Sequence, residues 1–165
     1  MKEGLVVPIR PIEIKDNEAI ERIIKESLEA VGLDMPGTAY TDPQLGDLAG
    51  FYSQLNGAGY WVAVDADGDV LGGVGIGPFG EEPGVCELQK LYVAPEARGQ
   101  GLSRELMAAA LEFAGQHYER CYLETSKKLV VANELYVKLG FRKLAEPLAG
   151  SEHGAMDAWY MKELV

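Results

Sequence analysis

At 165 residues, of which 47% are hydrophobic and 25% charged, the chain reads as one globular domain, 1–165, with its core from about residue 5 onward. No apolar run approaches the ~20 residues that span a bilayer, and MKEGLVVPIRPIE carries no signal-peptide pattern, so a cytoplasmic protein with no membrane partner is expected. A net charge of -11 leaves no basic stripe for nucleic acid and suits a cationic substrate such as an amine.

Leu5 to Ile14 alternates loosely and holds Pro8 and Pro11, the pattern of an edge strand. Asp16 is placed to cap a helix whose buried face is Ile20, Ile23, Ile24, Leu28 and Val31, with Gly32 as its stop. Asp42-Pro43 opens a second helical stretch to about Leu55, weakened by Gly46 and Gly50. Tyr60 to Val64 and Val70 to Ile76 predict a hairpin around Asp65–Asp69. That acidic loop lacks the spacing and closing glutamate of a calcium site, so it is read as a turn and no metal is expected. Gly73-Val74-Gly75-Ile76-Gly77 is no dinucleotide fingerprint, because Pro78 stands where the third glycine would be and no helix follows. A strand approached closely by another backbone or by a ligand accounts for it better.

Val85 to Val93 predicts a strand that Pro95 stops. Arg98-Gly99-Gln100-Gly101-Leu102-Ser103 follows, and Leu102, Leu106, Ala110 and Phe113 then recur at helical spacing. A helix that opens on glycines leaves its first N–H groups uncovered, and with the helix dipole they favour a phosphate-bearing ligand. Arg120 to Thr125 predicts a strand, Val130 to Leu139 a helix closed by Gly140, and Phe141–Leu144 and Ala155–Leu164 the last two strands. Cys86 and Cys121 sit in apolar strand-like runs at no metal or redox spacing and are read as reduced core thiols.

With these residues in view, the chain resembles the GNAT superfamily of N-acetyltransferases over nearly its whole length. The resemblance rests on Arg98–Ser103, close to Gln/Arg-x-x-Gly-x-Gly/Ala. It rests also on the strand Glu87-Leu88-Gln89-Lys90-Leu91-Tyr92-Val93 before Pro95, and on the helix Ala132-Asn133-Glu134-Leu135-Tyr136 before Gly140-Phe141. Ser103 departs from the pattern, which has glycine or alanine there; serine is still small, and its hydroxyl can meet an anion.

The resemblance implies an α+β fold: a mixed, mostly antiparallel central sheet splayed between strands 4 and 5 and flanked by helices. It implies acetyl-CoA as co-substrate, with the diphosphate on the amides of Arg98, Gly99, Gln100, Gly101, Leu102 and Ser103. Arg104 is either a phosphate contact or an exposed helix cation. By the same analogy a bulge after Lys90 frees backbone groups along Leu91, Tyr92 and Val93. The Leu91 N–H would polarise the acetyl carbonyl, and Val93 would pair with the pantetheine arm, which Asn133 also contacts.

Direct attack on the thioester needs a neutral amine, whereas a lysine-like amine with a pKa of about 10.4 arrives protonated. Glu87 matches a base used in part of the family, and Tyr136 matches its thiolate-protonating acid. A surface glutamate and a core tyrosine are the plain alternatives for these two. His117 and His153 are read as surface or capping residues.

The resemblance implies an acceptor amine on a small molecule or peptide, with specificity expected from the segments Val31–Gly59 and Leu144–Met156. Tyr40, Phe51, Tyr52 and Trp61 are candidates for an aromatic pocket or for core packing. Asp34, Asp42, Asp47, Glu146 and Glu152 are candidates to meet a cationic amine. A homodimer is compatible with the resemblance. The alternative function is an acyl-CoA-binding sensor without turnover.

Overall fold

The strand-forming segments assemble into one seven-stranded sheet, seen in a computed structural model that describes residues 7–164. The strands are β1 (Ile9–Pro11), β2 (Gly59–Val64), β3 (Val70–Pro78), β4 (Val85–Val93), β5 (Arg120–Thr125), β6 (Arg142–Leu144) and β7 (Ala158–Glu163). They lie in the order β1-β2-β3-β4-β5-β7-β6, antiparallel throughout except for β4 and β5. The mixed α+β architecture expected from the sequence is therefore the one observed.

Four α-helices complete the order: α1 (Asn17–Ala30), α2 (Leu48–Ser53), α3 (Leu102–His117) and α4 (Val130–Lys138). Ile20, Ile24 and Leu28 of α1 are almost completely buried and pack with Leu48 and Tyr52 of α2 over Tyr60, Val62 and Val64. Each such aliphatic side chain contributes about 1.5–3 kcal/mol of burial. A second cluster joins Leu102, Leu106, Met107 and Ala110 of α3 to Val74, Ile76, Cys86, Leu88, Cys121 and Leu123. Both cysteines are free and fully buried, as the sequence reading had them.

Several boundaries differ from the sequence reading. The first strand is only Ile9–Pro11, and the opening residues of the expected Leu5–Ile14 strand lie outside those described. The stretch from Asp42 divides into a 3-10 turn at Pro43–Asp47 and the short α2. Asp47 causes the break, its side chain capping the Gly50 N–H at 3.0 Å. Asp16 stands at the cap of α1, yet its carboxylate binds the Glu13 N–H at 2.8 Å and Arg10 at 2.7 Å instead of the helix. The Asp65–Asp69 loop is a turn in which Asp65 Oδ1 accepts from the N–H groups of Asp67 and Asp69, both at 2.9 Å.

The glycines of β3 have a specific cause. A Cβ at Gly73 or Gly75 would run into the rings of Tyr60 and Tyr52, and one at Gly72 into the Tyr92 carbonyl. The close approach read from the sequence is thus made mainly by two tyrosines of the protein itself.

Two irregularities open the sheet. Gly75 pairs with Gln89 but Gly73 with Tyr92, so β4 carries an extra residue, and Lys90 takes a φ of 50°. The Tyr60 hydroxyl donates to the Lys90 carbonyl at 2.9 Å and fixes this bulge. On the other edge, β4 and β5 pair only from Val85–Glu87 to Arg120–Tyr122, and past Glu87 the two strands part.

Candidate active site

Glu87 sits at the mouth of that opening. Its carboxylate accepts from Gln89 Nε2 at 2.8 Å, and Gln89 Oε1 in turn accepts from the Tyr52 hydroxyl. Burial pushes the Glu87 carboxyl up to about 6; the negative charge of Glu124 adds to the rise, while the Gln89 bond, His153 and Lys90 oppose it. A carboxylate held there is ionised at neutral pH yet basic enough to take a proton. Tyr52 therefore packs in the core, as the plainer reading had it, and its hydroxyl steadies Gln89.

Glu124 stands across the opening on β5. One of its oxygens accepts from the Tyr122 hydroxyl at 2.7 Å, whereas Oε1 is buried and without a partner among the described residues. Ligand atoms of Glu87, Glu124 and His153 lie within 4.8 Å of one another. A cavity of about 50 Å³ between them is lined also by Thr38, Ala39, Gln89, Lys90, Tyr92 and Met156. The set can accept protons or hold a cation.

Asp42, one of five acids considered for an incoming amine, already binds Lys90 Nζ at 2.7 Å and His153 Nε2 at 3.1 Å. Burial works to raise Asp42, but His153 and Lys90 outweigh it and hold the carboxyl below its usual range. His153 is raised, chiefly by its bond to Asp42. This corrects the reading of His153 as a surface or capping residue, because it ties the loop before β7 to the segment before α2. Ala155 adds a second tie, its N–H donating to the Gly37 carbonyl at 3.1 Å. Of the remaining acids, Asp47 caps α2 and binds Asn17 at 2.8 Å, while Asp34, Glu146 and Glu152 are exposed. Trp61 packs on Phe113 with centroids 5.0 Å apart, Phe51 meets Tyr52 edge-on, and Tyr40 bonds Glu29, so these aromatics form no common pocket.

The turn before α3 has the expected form. Gly99 and Gly101 adopt φ values of 81° and 76°, conformations that glycine reaches without strain. Their Cβ positions face open space, so backbone conformation and not crowding requires glycine. Glu105 makes the first helical bond, to the Gly101 carbonyl at 3.2 Å, and the amides from Gly101 to Arg104 have no partner within the helix. The Arg98 N–H is spent on the Pro95 carbonyl at 3.3 Å, which narrows the expected cradle to the amides after it. Gln100, Leu102 and Ser103 lie within this turn and first helical residues, and Arg104 is exposed beside them.

The Arg98 side chain reaches back to the Val93 carbonyl at 3.0 Å and to Ser27 at 3.3 Å. The Val93 carbonyl expected to be free thus already accepts one bond, and its second lone pair remains for an added strand. Asn133 Nδ2 donates to the carbonyls of Ser126 and Leu129, and its Oδ1 accepts from Tyr160 at 2.7 Å. Its side chain braces the start of α4 through these three bonds.

Tyr136 is buried in α4, with ring centroids 5.7 Å from Tyr160 and 5.9 Å from Phe141. Burial, then the neighbouring Tyr92, Tyr160 and Cys121, push its phenol up. It therefore stays protonated at neutral pH, within electrostatic reach of Tyr92, which lines the small cavity.

Residues 19–141 match the acetyltransferase (GNAT) family model. The chain belongs to the GNAT family. It is 40% identical over 159 residues to the uncharacterized N-acetyltransferase YjgM of Escherichia coli, covering 94% of each chain. Among solved structures, a GNAT-family acetyltransferase of Staphylococcus aureus superposes with a TM-score of 0.83 at 18% identity, over 97% of this chain and 100% of the other. A GNAT-superfamily phosphinothricin acetyltransferase from Sinorhizobium meliloti, solved with acetyl-CoA, matches at 0.73 and 22% identity over 96% and 89%. These two likenesses support the splayed-sheet fold. Family membership makes the chain an acetyl-CoA-dependent N-acetyltransferase, as its motifs implied.

Sequence reasoning found Glu87 but passed over Glu124, Gln89 and Lys90 as side chains. The available signal for Glu124 was its place in the chain, an acid directly after the buried apolar run Cys121-Tyr122-Leu123.

Proposed function

We propose that this GNAT enzyme transfers the acetyl group of acetyl-CoA to a primary amine of a small molecule or peptide by direct attack. Glu87 takes the amine's proton, directly or through water. The nitrogen attacks the carbonyl carbon, the C–N bond forms, the C–S bond breaks, and Tyr136 protonates the departing thiolate. The observation that carries this reading is Glu87 itself, buried where β4 leaves β5 and raised to about 6.

The coenzyme's diphosphate is assigned to the turn from Gly99 to Ser103, with Arg104 beside it. Its pantetheine arm runs along Leu91, Tyr92 and Val93, where the bulge at Lys90 breaks the regular ladder. The Leu91 N–H is the donor assigned to the acetyl carbonyl. Thr38, Ala39, His153 and Met156 come from the two loops that meet over Glu87, which supports the acceptor's reacting end lying there.

The test is thiol release from acetyl-CoA with a panel of primary amines, with the acetylated product identified by mass. Amine-dependent release of free CoA is expected. Tight acetyl-CoA binding with no release for any amine would overturn the reading in favour of a coenzyme sensor.

A further inference from the structure

Glu87 and Glu124 form a carboxylate pair with the His153 ring beside it, within 4.8 Å. The nearest cations, Lys90 and His153, are both bound to Asp42, at 2.7 and 3.1 Å. The hydrogen-bond donors to the pair are neutral: the Gln89 amide to Glu87 and the Tyr122 phenol to Glu124. Neither glutamate is in a salt bridge among the described residues.

Glu124 Oε1 is buried and, among the described residues, unbonded, an arrangement that costs free energy unless a donor reaches it. The pair lines a cavity of about 50 Å³. About 10–15 Å³ of such space admits one water, so the cavity has room for a small polar group.

We propose that Glu124 sets acceptor specificity: its Oε1 receives the acceptor's ammonium beside Glu87, selecting primary amines that carry no carboxylate next to the nitrogen. The inference rests on the acetyl-transfer reading and goes beyond it by naming the substrate class. An ammonium brings a donor to Oε1 and a positive charge to both acids. An α-carboxylate would bring a third negative charge against the same pair. Lys90 and His153 lie nearby, but Asp42 binds both, so three carboxylates already face these two cations. Like charges forced together in a partly buried site discriminate strongly against the wrong ligand. The protein's net charge of -11 favours the same class at longer range.

Matched acceptors test this directly. The pairs are 2-phenylethylamine with phenylalanine, tryptamine with tryptophan, and agmatine with arginine. Phenylalanine amide keeps the branched α-carbon without the negative charge. For each, kcat/KM is measured by thiol release with the wild-type chain and with Glu124→Gln, whose folding is checked by Tm and acetyl-CoA affinity.

The wild type should prefer each amine over its amino acid by about 10²–10³-fold, with phenylalanine amide within about tenfold of 2-phenylethylamine. Glu124→Gln should compress the preference to below about tenfold. Equal or better use of the amino acids would overturn the proposal. So would a phenylalanine amide as poor as phenylalanine, or a ratio unchanged in a folded Glu124→Gln. If that variant does not fold, the wild-type ratios and the amide decide alone. An absence of thiol release with every amine would overturn the acetyl-transfer reading, whereas release confined to α-amino acids would overturn the specificity proposal alone.

Discussion

The turn at Gly99–Arg104 and the cavity at Glu87 and Glu124 are built in opposite ways. The turn is local: its glycines, its free amides and the helix behind them lie within a few residues of one another. The cavity is assembled from four distant parts of the chain, and the bond between His153 and Asp42 joins residues 111 positions apart. The turn uses backbone atoms, which tolerate many side chains provided that φ is right. The cavity uses side chains whose charges depend on one another, so a single change there alters several groups. Substitutions at the two places should therefore separate coenzyme affinity from chemistry.

Replacing Glu87 should have the largest effect. Glu87→Gln is expected to lower kcat/KM for the amine by about 10²–10³-fold at pH 7 with acetyl-CoA affinity nearly unchanged, the range of a lost general base. Steady-state kinetics beside a coenzyme binding isotherm would check both halves.

Tyr136→Phe comes next. Its phenol is kept protonated by burial, so removing the hydroxyl should reduce kcat by about 10–10²-fold, while the ring continues to pack on Tyr160 and Phe141. Unchanged kcat would leave Tyr136 as a core residue only.

Gly101→Val reverses the pattern. A β-branched residue at φ 76° costs about 1–2 kcal/mol of local strain, and acetyl-CoA dissociation constants should rise about tenfold with less change in kcat. A fall in kcat without any loss of coenzyme affinity would erase the distinction between the two sites.

The smallest effect concerns the tie across the cavity. His153 is raised above its ordinary 6.5 by Asp42, so its stabilisation is fully present below about 6.5 and is lost as pH rises through the raised value. The wild type should exceed His153→Gln in Tm by about 2–4 °C at pH 6, roughly 1 kcal/mol for a chain of this size. The gap should narrow by pH 8.5; a gap that widens with pH would contradict the assignment.

The same contrast explains what the sequence revealed. The glycines at 99 and 101, the apolar face of α3 and the break at Pro95 are all short-range signals, and the turn was legible from them. The order of strands and helices was legible because each segment has a clear period or a clear breaker. Asp42 and His153 were not legible as a pair, since no local pattern announces a contact between two loops. The bonds of Asn133 to Ser126, Leu129 and Tyr160 were hidden for the converse reason: a familiar position in a motif says nothing of them. The division at Asp47 was hidden because a capping aspartate and a mid-helix aspartate look alike until the chain bends.

The most direct test of the buried base is the ratio of wild-type to Glu87→Gln kcat/KM, followed from pH 5.5 to 9.5 with one good amine acceptor. With Glu87 near 6, wild-type activity should rise through that pH as the carboxylate ionises, and the variant should lack this limb. Its deficit should shrink toward high pH, where the free amine is abundant. A deficit of equal size at every pH, with the limb near 6 retained in the variant, would contradict Glu87 as the base.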